Sequence, residues 1–388
     1  MSLSGPRFDA LPPLSLYVHV PWCIRKCPYC DFNSHALRGE LPERRYVEAL
    51  TADLDASLPD IWGRRIRTIF FGGGTPSLLT PDAVDAILGM VRARVAVDPD
   101  AEITLEANPG TAEAGRFAGF RAAGVNRLSI GIQSFDPDRL HALGRVHDDR
   151  EARAAIGFAR GAFENFNIDL MYGLPGQSID AALRDIDAGI AEGAPHVSAY
   201  HLTIEPNTLF HSRPPVLPDD DACAEMQEAI ERRLAAAGYA HYETSAFAQP
   251  ARSCAHNRNY WQFGDYLGIG AGAHSKLSFP DRVVRLVRFK HPEEYTTRAI
   301  HSNAVLTRQV VGAADLPFEF MMNALRLSEG FPVERFTERT GLPLTAALGG
   351  LAQAEARGFL TRDHRRVVPT RAGQRFLNDL LQIFLPEA

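Results

Sequence analysis

Three cysteines stand within eight positions, in the run Cys23-Ile-Arg-Lys-Cys27-Pro-Tyr-Cys30. Thiolates are soft ligands, suited to zinc or to iron–sulfur clusters. A closed zinc site or an ordinary four-iron cluster takes four protein ligands, and this run supplies three. Two fillings are open at this level. A structural zinc would draw its fourth ligand from His19 or His35. A four-iron cube on Cys23, Cys27 and Cys30 would leave one iron without a protein ligand, free to chelate a small molecule. Cys223 and Cys254 stand apart and read as buried or tolerated thiols. An odd total of five cysteines, so clustered, argues against a disulfide framework.

The loop needs a frame, and the flanking pattern supplies one. Leu14 to Val20 (LSLYVHV) reads as a buried strand that delivers the chain into the cysteines. Further strands are expected at Arg67–Phe71, Glu102–Ala107, Arg127–Ile132, Phe166–Tyr172 and His196–Leu202, each followed by a helical stretch. The first helix shows Val47, Leu50, Leu54 and Leu58 at helical spacing; others start near Pro81 and Thr111. Six such βα units predict an α/β fold with a parallel sheet and right-handed crossovers. Eight are needed to close a barrel, so an incomplete (β/α)6 TIM-like barrel is the expected architecture. A doubly wound sheet satisfies the same pattern.

The polar and glycine-rich residues collect at the C-terminal ends of these strands, where such folds place their sites. Gly72-Gly73-Gly74-Thr75-Pro76 ends the second strand, and glycines there let a backbone approach a ligand and expose its N–H groups. Glu106 lies near the end of the third strand and could accept from a ribose or an amine. Gln133 ends the fourth, and Asp169 sits in the fifth. Arg145 offers a guanidinium fork to a carboxylate.

Pro206 to Asp221 is a proline- and aspartate-rich connection, followed by a helix with Met226, Ile230 and Leu234 on one face. Beyond Leu316, helices at Phe318–Leu327 and Leu344–Arg357, short apolar segments at Gly358–Leu360 and Arg366–Pro369, and a last helix from Thr370 suggest a smaller, mainly helical, winged-helix-like unit. The expected division is residues 1–245 for the core and 246–388 for the C-terminal domain. A net charge of −6 gives no footprint for nucleic acid, so a packing or partner-docking role is expected of that unit. Met1 to Pro13 shows no signal-peptide pattern, and no apolar run is long enough to span a bilayer. A cytoplasmic protein is expected.

The cysteine loop, the strand before it and the glycine run together resemble the radical S-adenosylmethionine superfamily. That resemblance implies a [4Fe-4S] cluster on Cys23, Cys27 and Cys30, with S-adenosyl-L-methionine chelated to the open iron and cleaved by an electron to a 5′-deoxyadenosyl radical. It also implies contacts from Gly73, Gly74 and Thr75 to the amino group, and from Arg145 to the carboxylate. Glu106, Gln133 and Asp169 join them at neighbouring strand ends. Tyr17 and Tyr29 flank the cluster as lesser contacts, and Asp31, Asn33 and His35 read as loop-structuring.

The segments IFFGGGTPSLL, LEANPG, RLSIGIQSF, DLMYGLPGQ and HLTIEPNTLF narrow the resemblance to the oxygen-independent coproporphyrinogen III oxidase (HemN-like) family. Two features then point to its HemW branch of haem chaperones. The oxidases carry a further cysteine two residues beyond the third, and Phe32 stands there. Only a short segment precedes Tyr17. A phenylalanine replaces no thiolate, which weighs against radical decarboxylation of coproporphyrinogen III to protoporphyrinogen IX, the alternative activity. His256-Asn-Arg-Asn-Tyr260-Trp261 looks like the HNxxYW motif of that branch, and an imidazole with aromatic rings suits haem. The resemblance implies haem as cargo, His256 as a candidate haem contact and apo-haemoproteins such as respiratory enzymes as recipients. The branch can form a homodimer. Any membrane contact would be peripheral, through a haem-receiving partner.

Overall fold

The computed structural model describes residues 5–111 and 114–386. The first four residues of the N-terminal segment and residues 112–113, at the expected start of the third helix, lie outside the described residues. Strands β1 (Leu14–Val20), β2 (Ile66–Gly73), β3 (Val97–Ala107), β4 (Arg127–Gln133), β5 (Phe166–Tyr172) and β6 (His196–His201) run parallel and adjacent in that order. All six expected strands are present. Among the described residues the ends of the sheet do not pair with each other, so the barrel stays open.

The sheet also continues past the six units. A short hairpin, β7 (Ala240–Glu243) and β8 (Ala246–Ala248), adds antiparallel to β6. On the other side β9 (Asp265–Ile269) pairs parallel with β1 and leads into three antiparallel strands, β10 (His274–Phe279), β11 (Arg282–Arg288) and β12 (Val305–Val310). The whole is one twelve-stranded sheet. A seventh parallel strand thus joins the barrel from beyond residue 245.

Helices α1 (Glu43–Ser57), α2 (Pro81–Arg92), α3 (Ala114–Ala123), α4 (Pro137–Ala142), α5 (Asp149–Ala162), α6 (Ile179–Ala191) and α7 (Asp220–Ala236) follow the strands. Local sequence sets their starts: the Thr80 hydroxyl accepts from the Ala83 N–H with Pro81 at the first helical position, and Asp148 and Glu151 form a capping box. One face of each barrel strand packs on these helices. Leu16, Val18, Ile69, Phe71, Leu105, Leu128, Ile130, Ile168 and Val197 all lie in the main core. The alternate residues face inward and are polar or aromatic, which is why the strands alternate instead of reading as uniform apolar runs.

Among the helices that come after β8 are α8 (Ala255–Trp261), α9 (Pro292–Ile300) and α10 (Leu316–Ala324). A second core gathers Phe320, Phe331, Phe336, Leu351, Val367 and Leu380 under a three-stranded sheet of Phe331–Pro332, Leu360–Arg362 and Arg366–Pro369. Phe263 and Val283 belong to this core as well, so it is packed onto the large sheet. Among the described residues no helix is long and apolar enough to cross a membrane.

Candidate functional site

β1 ends where the cysteine loop begins, and β2 ends beside it in the glycine run. Trp22–Cys23 pairs with His35–Ala36, closing the loop on itself. Within it the Cys30 N–H donates to the Cys27 carbonyl at 3.2 Å. Burial pushes the Cys23 thiol up; a Thr75 hydrogen bond opposes this, and the neighbouring Cys30 and Cys27 sulfurs add to it. The three sulfurs are therefore electrostatic neighbours, none of them fully buried.

Gly73 and Gly74 take the closest approach. Gly73 has φ +116°, and a Cβ there would sit 2.5 Å from His19 Cε1; one on Gly74 would sit 2.5 Å from the Trp22 carbonyl oxygen. The amides are not free for a ligand, contrary to the expectation from glycine content. Gly73 N–H donates to Glu106 Oε2 at 3.1 Å, Gly74 N–H to the Val20 carbonyl and Thr75 N–H to the Trp22 carbonyl. What the run offers a bound amine is carbonyl oxygen and the Glu106 carboxyl, not N–H groups.

Arg145, after α4, reaches back to the loop: Nη1 lies 3.7 Å from Cys27 Sγ, and Nη2 donates to Asn108 Oδ1 at 2.6 Å and to the Gly131 carbonyl. Asn108 Nδ2 donates in turn to Thr75 Oγ1 at 2.8 Å. Asn108 is thus the joint between the ends of β2, β3 and β4. Cys27, Thr75, Asn108, Gly144, Arg145 and Val146 line one cleft. Gln133 stands at the end of β4 with φ 72°, a left-handed backbone unusual outside glycine. Tyr29 packs near Phe210 at 6.3 Å and has its hydroxyl pushed up by burial.

Deeper in the barrel the inward faces meet. Tyr17 Oη lies 3.1 Å from His19 Nδ1, and its ring stacks on Phe70 at 6.2 Å. Burial, reinforced by the Asp169 charge, raises the Glu106 carboxyl to about 8. Asp169 is also raised by burial, although it accepts from Asn167 at 2.7 Å and Ser129 at 3.4 Å. Two carboxyls sharing a dry interior resist ionising together. A cationic or hydrogen-donating guest would relieve that conflict. Tyr200 sits on this inward face yet is 42% exposed, so the interior is open from the mouth. A cavity of about 340 Å³ at the opposite end of β3 and β4, between Arg92 and Asn126, is separate from these groups.

His256 lies elsewhere. It opens α8 and plugs the far end of the barrel, 8% exposed, with Nδ1 2.9 Å from Thr68 Oγ1 and its ring 5.0 Å from Phe70. Glu102 on β3 accepts the Ala255 and His256 N–H groups at 3.0 and 3.1 Å. Burial, then the Arg127 charge, lowers the imidazole to about 3. Arg326 covers the Trp261 ring at 4.3 Å. The structure therefore groups the cluster-side residues at the mouth and keeps His256 apart from them, facing inward.

The donor set fits a cube better than a lone ion. The loop offers three thiolates and no fourth cysteine, which matches a cube that keeps one iron open. A cube presents separate iron corners, so its thiolates need not converge on a point. Both histidines that could complete a zinc site are engaged: His19 by Tyr17 and the Asn33 carbonyl, His35 by Asn33 Oδ1.

The Radical SAM superfamily model matches residues 17–188, and the HemN C-terminal domain model matches 312–376. The chain is 51% identical over 381 residues to the heme chaperone HemW of Escherichia coli K12, covering 97% of this chain and 99% of that protein. The chain belongs to the HemW family. Haemophilus influenzae HemW is 45% identical over 97% of this chain and 99% of its own length. Mouse radical S-adenosyl methionine domain-containing protein 1, mitochondrial, is 34% identical, covering 98% and 92%. Among solved structures, Escherichia coli coproporphyrinogen III oxidase (HemN) superposes with a TM-score of 0.82 at 23% identity, covering 96% of this chain and 90% of that one. That likeness carries the fold: a HemW-family chain is built on the frame of the oxidase.

Proposed function

We propose that this protein is a cytoplasmic haem chaperone with a four-iron cluster on Cys23, Cys27 and Cys30 and S-adenosylmethionine at the iron they leave open. The observation that carries the reading is the likeness to a heme chaperone at 51% identity over 97% of the chain. Phe32 supports it: where the oxidases keep a further cysteine, the loop tip presents an apolar side chain, 62% exposed.

In this reading the Arg145 fork takes the methionine carboxylate, and Gly73, Gly74 and Thr75 border its amino group. Glu106 and Asp169 accept from the amine and ribose, with Gln133 at the adjoining strand end. Tyr17 and Tyr29 close the pocket from either side. Glu106, held protonated by burial, gives up its proton when an ammonium group joins it. When bound, the reduced cluster supplies an electron to the sulfonium. The protein's own part is to orient that ligand and to keep Cys27 beside the Arg145 cation. Residues 1–245 would carry this work and 246–388 the contacts with apo-haemoproteins, respiratory enzymes among them. A homodimer is the proposed assembly.

Titration of the reconstituted protein with haem tests the reading. A shifted Soret band and haem co-eluting on gel filtration are expected. No shift and no retention would remove the chaperone reading, and anaerobic turnover of coproporphyrinogen III to protoporphyrinogen IX would move the chain to the oxidase.

A further inference from the structure

Haem is a flat apolar plate whose iron takes an axial imidazole and whose edge carries two carboxylate arms. A seat for it needs an accessible imidazole nitrogen, apolar surface beside it and cations at the rim. His256 is buried and bonded to Thr68 in this fold. His201 is exposed and stacked on Tyr172 at 5.2 Å, but Asp219, Asp220 and Asp221 head the helix beside it, the wrong charge for a dianion.

The outer face of the cysteine loop brings all three requirements together. Asn33 Nδ2 donates to the carbonyls of Ala271 and Lys290, both at 2.9 Å, clamping the loop to the β9–β10 connection and to the turn before α9. The chain neighbours of the second bond are Phe32 on one strand of the clamp and His291 on the other. Phe32 is 62% exposed. The exposed His291 ring packs edge-to-face on His35, centroids 5.6 Å apart and planes at 75°. Neither His291 ring nitrogen holds a hydrogen bond from any described residue. Lys26 is exposed and donates one proton to the Phe32 carbonyl at 3.2 Å, leaving two, and Lys290 is exposed beside His291.

We propose that His291 is the axial ligand of a haem seated on this outer face, with Phe32 under the porphyrin and Lys26 and Lys290 at its propionates. The seat rests on the chaperone reading and names where that cargo sits. Phe32 and Lys26 belong to the same loop as the cluster cysteines. The bland alternative, that the exposed phenylalanine and the imidazole pair only stiffen the loop, gives haem no reason to notice their loss.

The test titrates the full chain with ferric haem, comparing wild type, His291→Ala, His291→Gly, the double Lys26→Glu/Lys290→Glu variant and His256→Ala. His291→Ala is expected to weaken haem retention about tenfold or more and to shift the Soret band, with thermal stability and iron content unchanged. Added imidazole should restore the wild-type spectrum to His291→Gly. The charge-reversed variant should bind more weakly with its axial ligation intact. Wild-type binding that is unaltered in both His291 variants, or lost only in His256→Ala, would overturn the seat and leave the chaperone reading standing. Wild type that binds no haem would sink both.

Discussion

Alanine at Cys23, Cys27 or Cys30 is expected to abolish the iron–sulfur chromophore and leave the fold standing. The three thiols are only partly buried and belong to none of the apolar clusters. Removing one Sγ therefore costs little packing, of the order expected for a surface change, roughly 0.5 kcal/mol. The cluster has no such tolerance, because a cube held at three corners keeps two when one ligand goes. Cys254→Ala is the matched control. That thiol is fully buried, and burial with the Glu102 charge pushes it up to about 12, so it stays protonated and donates to Glu102 at 3.4 Å. Its loss should lower thermal stability and spare the chromophore. Iron and acid-labile sulfide analysis beside a melting curve reads both effects. Iron retained in all three loop variants would contradict the assignment.

Arg288→Met is expected to be the most damaging single change to stability, by about 3–5 kcal/mol. Arg288 and Asp53 are both inaccessible to solvent and meet at 3.3 Å. The Asp53 carboxylate also accepts from Tyr295 at 2.9 Å and Gly270 N–H at 3.2 Å, while Arg288 donates to Ser275 and Ser57. Without the guanidinium, a buried carboxylate keeps two neutral donors and no counter-charge. A lower denaturation midpoint at unchanged slope would report the loss. Pairing the change with Asp53→Leu should recover part of it, since the unpaired charge then disappears. The network also supports the site from below. Tyr46 donates to the His19 carbonyl at 2.7 Å and accepts from Ala271 N–H at 3.0 Å, and Ala271 holds Asn33 of the cysteine loop. Loosening it should make any bound cluster more sensitive to oxygen. A midpoint within error of wild type would contradict this account of the pair.

The sequence made visible what is local. LSLYVHV runs from Leu14 to Val20 as expected, because alternating apolar residues need only one helix layer to bury them. The spacing of Cys23, Cys27 and Cys30 is legible for the same reason: one loop carries all of them. Asn108 was not legible, since its role exists only where Thr75 and Arg145 arrive from other strands. The burial of His256 was not legible either, because its cap, Glu102, comes from a strand far earlier in the chain. The antiparallel extension went unread as well. Its strand His274–Phe279 holds Lys276, a charge that argues against a buried strand until Asp265, 3.0 Å away in β9, neutralises it. Lone charges mislead sequence reading wherever the partner is supplied by the fold.

The central claim is a cube gripped by three thiolates with one iron left to an incoming ligand. Its most direct test is the electron paramagnetic resonance spectrum of the reduced, oxygen-free protein before and after S-adenosylmethionine, with metal analysis of the same sample. About four irons and four sulfides per chain are expected, with a spectrum that changes when the ligand is added. Zinc in place of iron, or an iron–sulfur spectrum indifferent to the ligand, would contradict it.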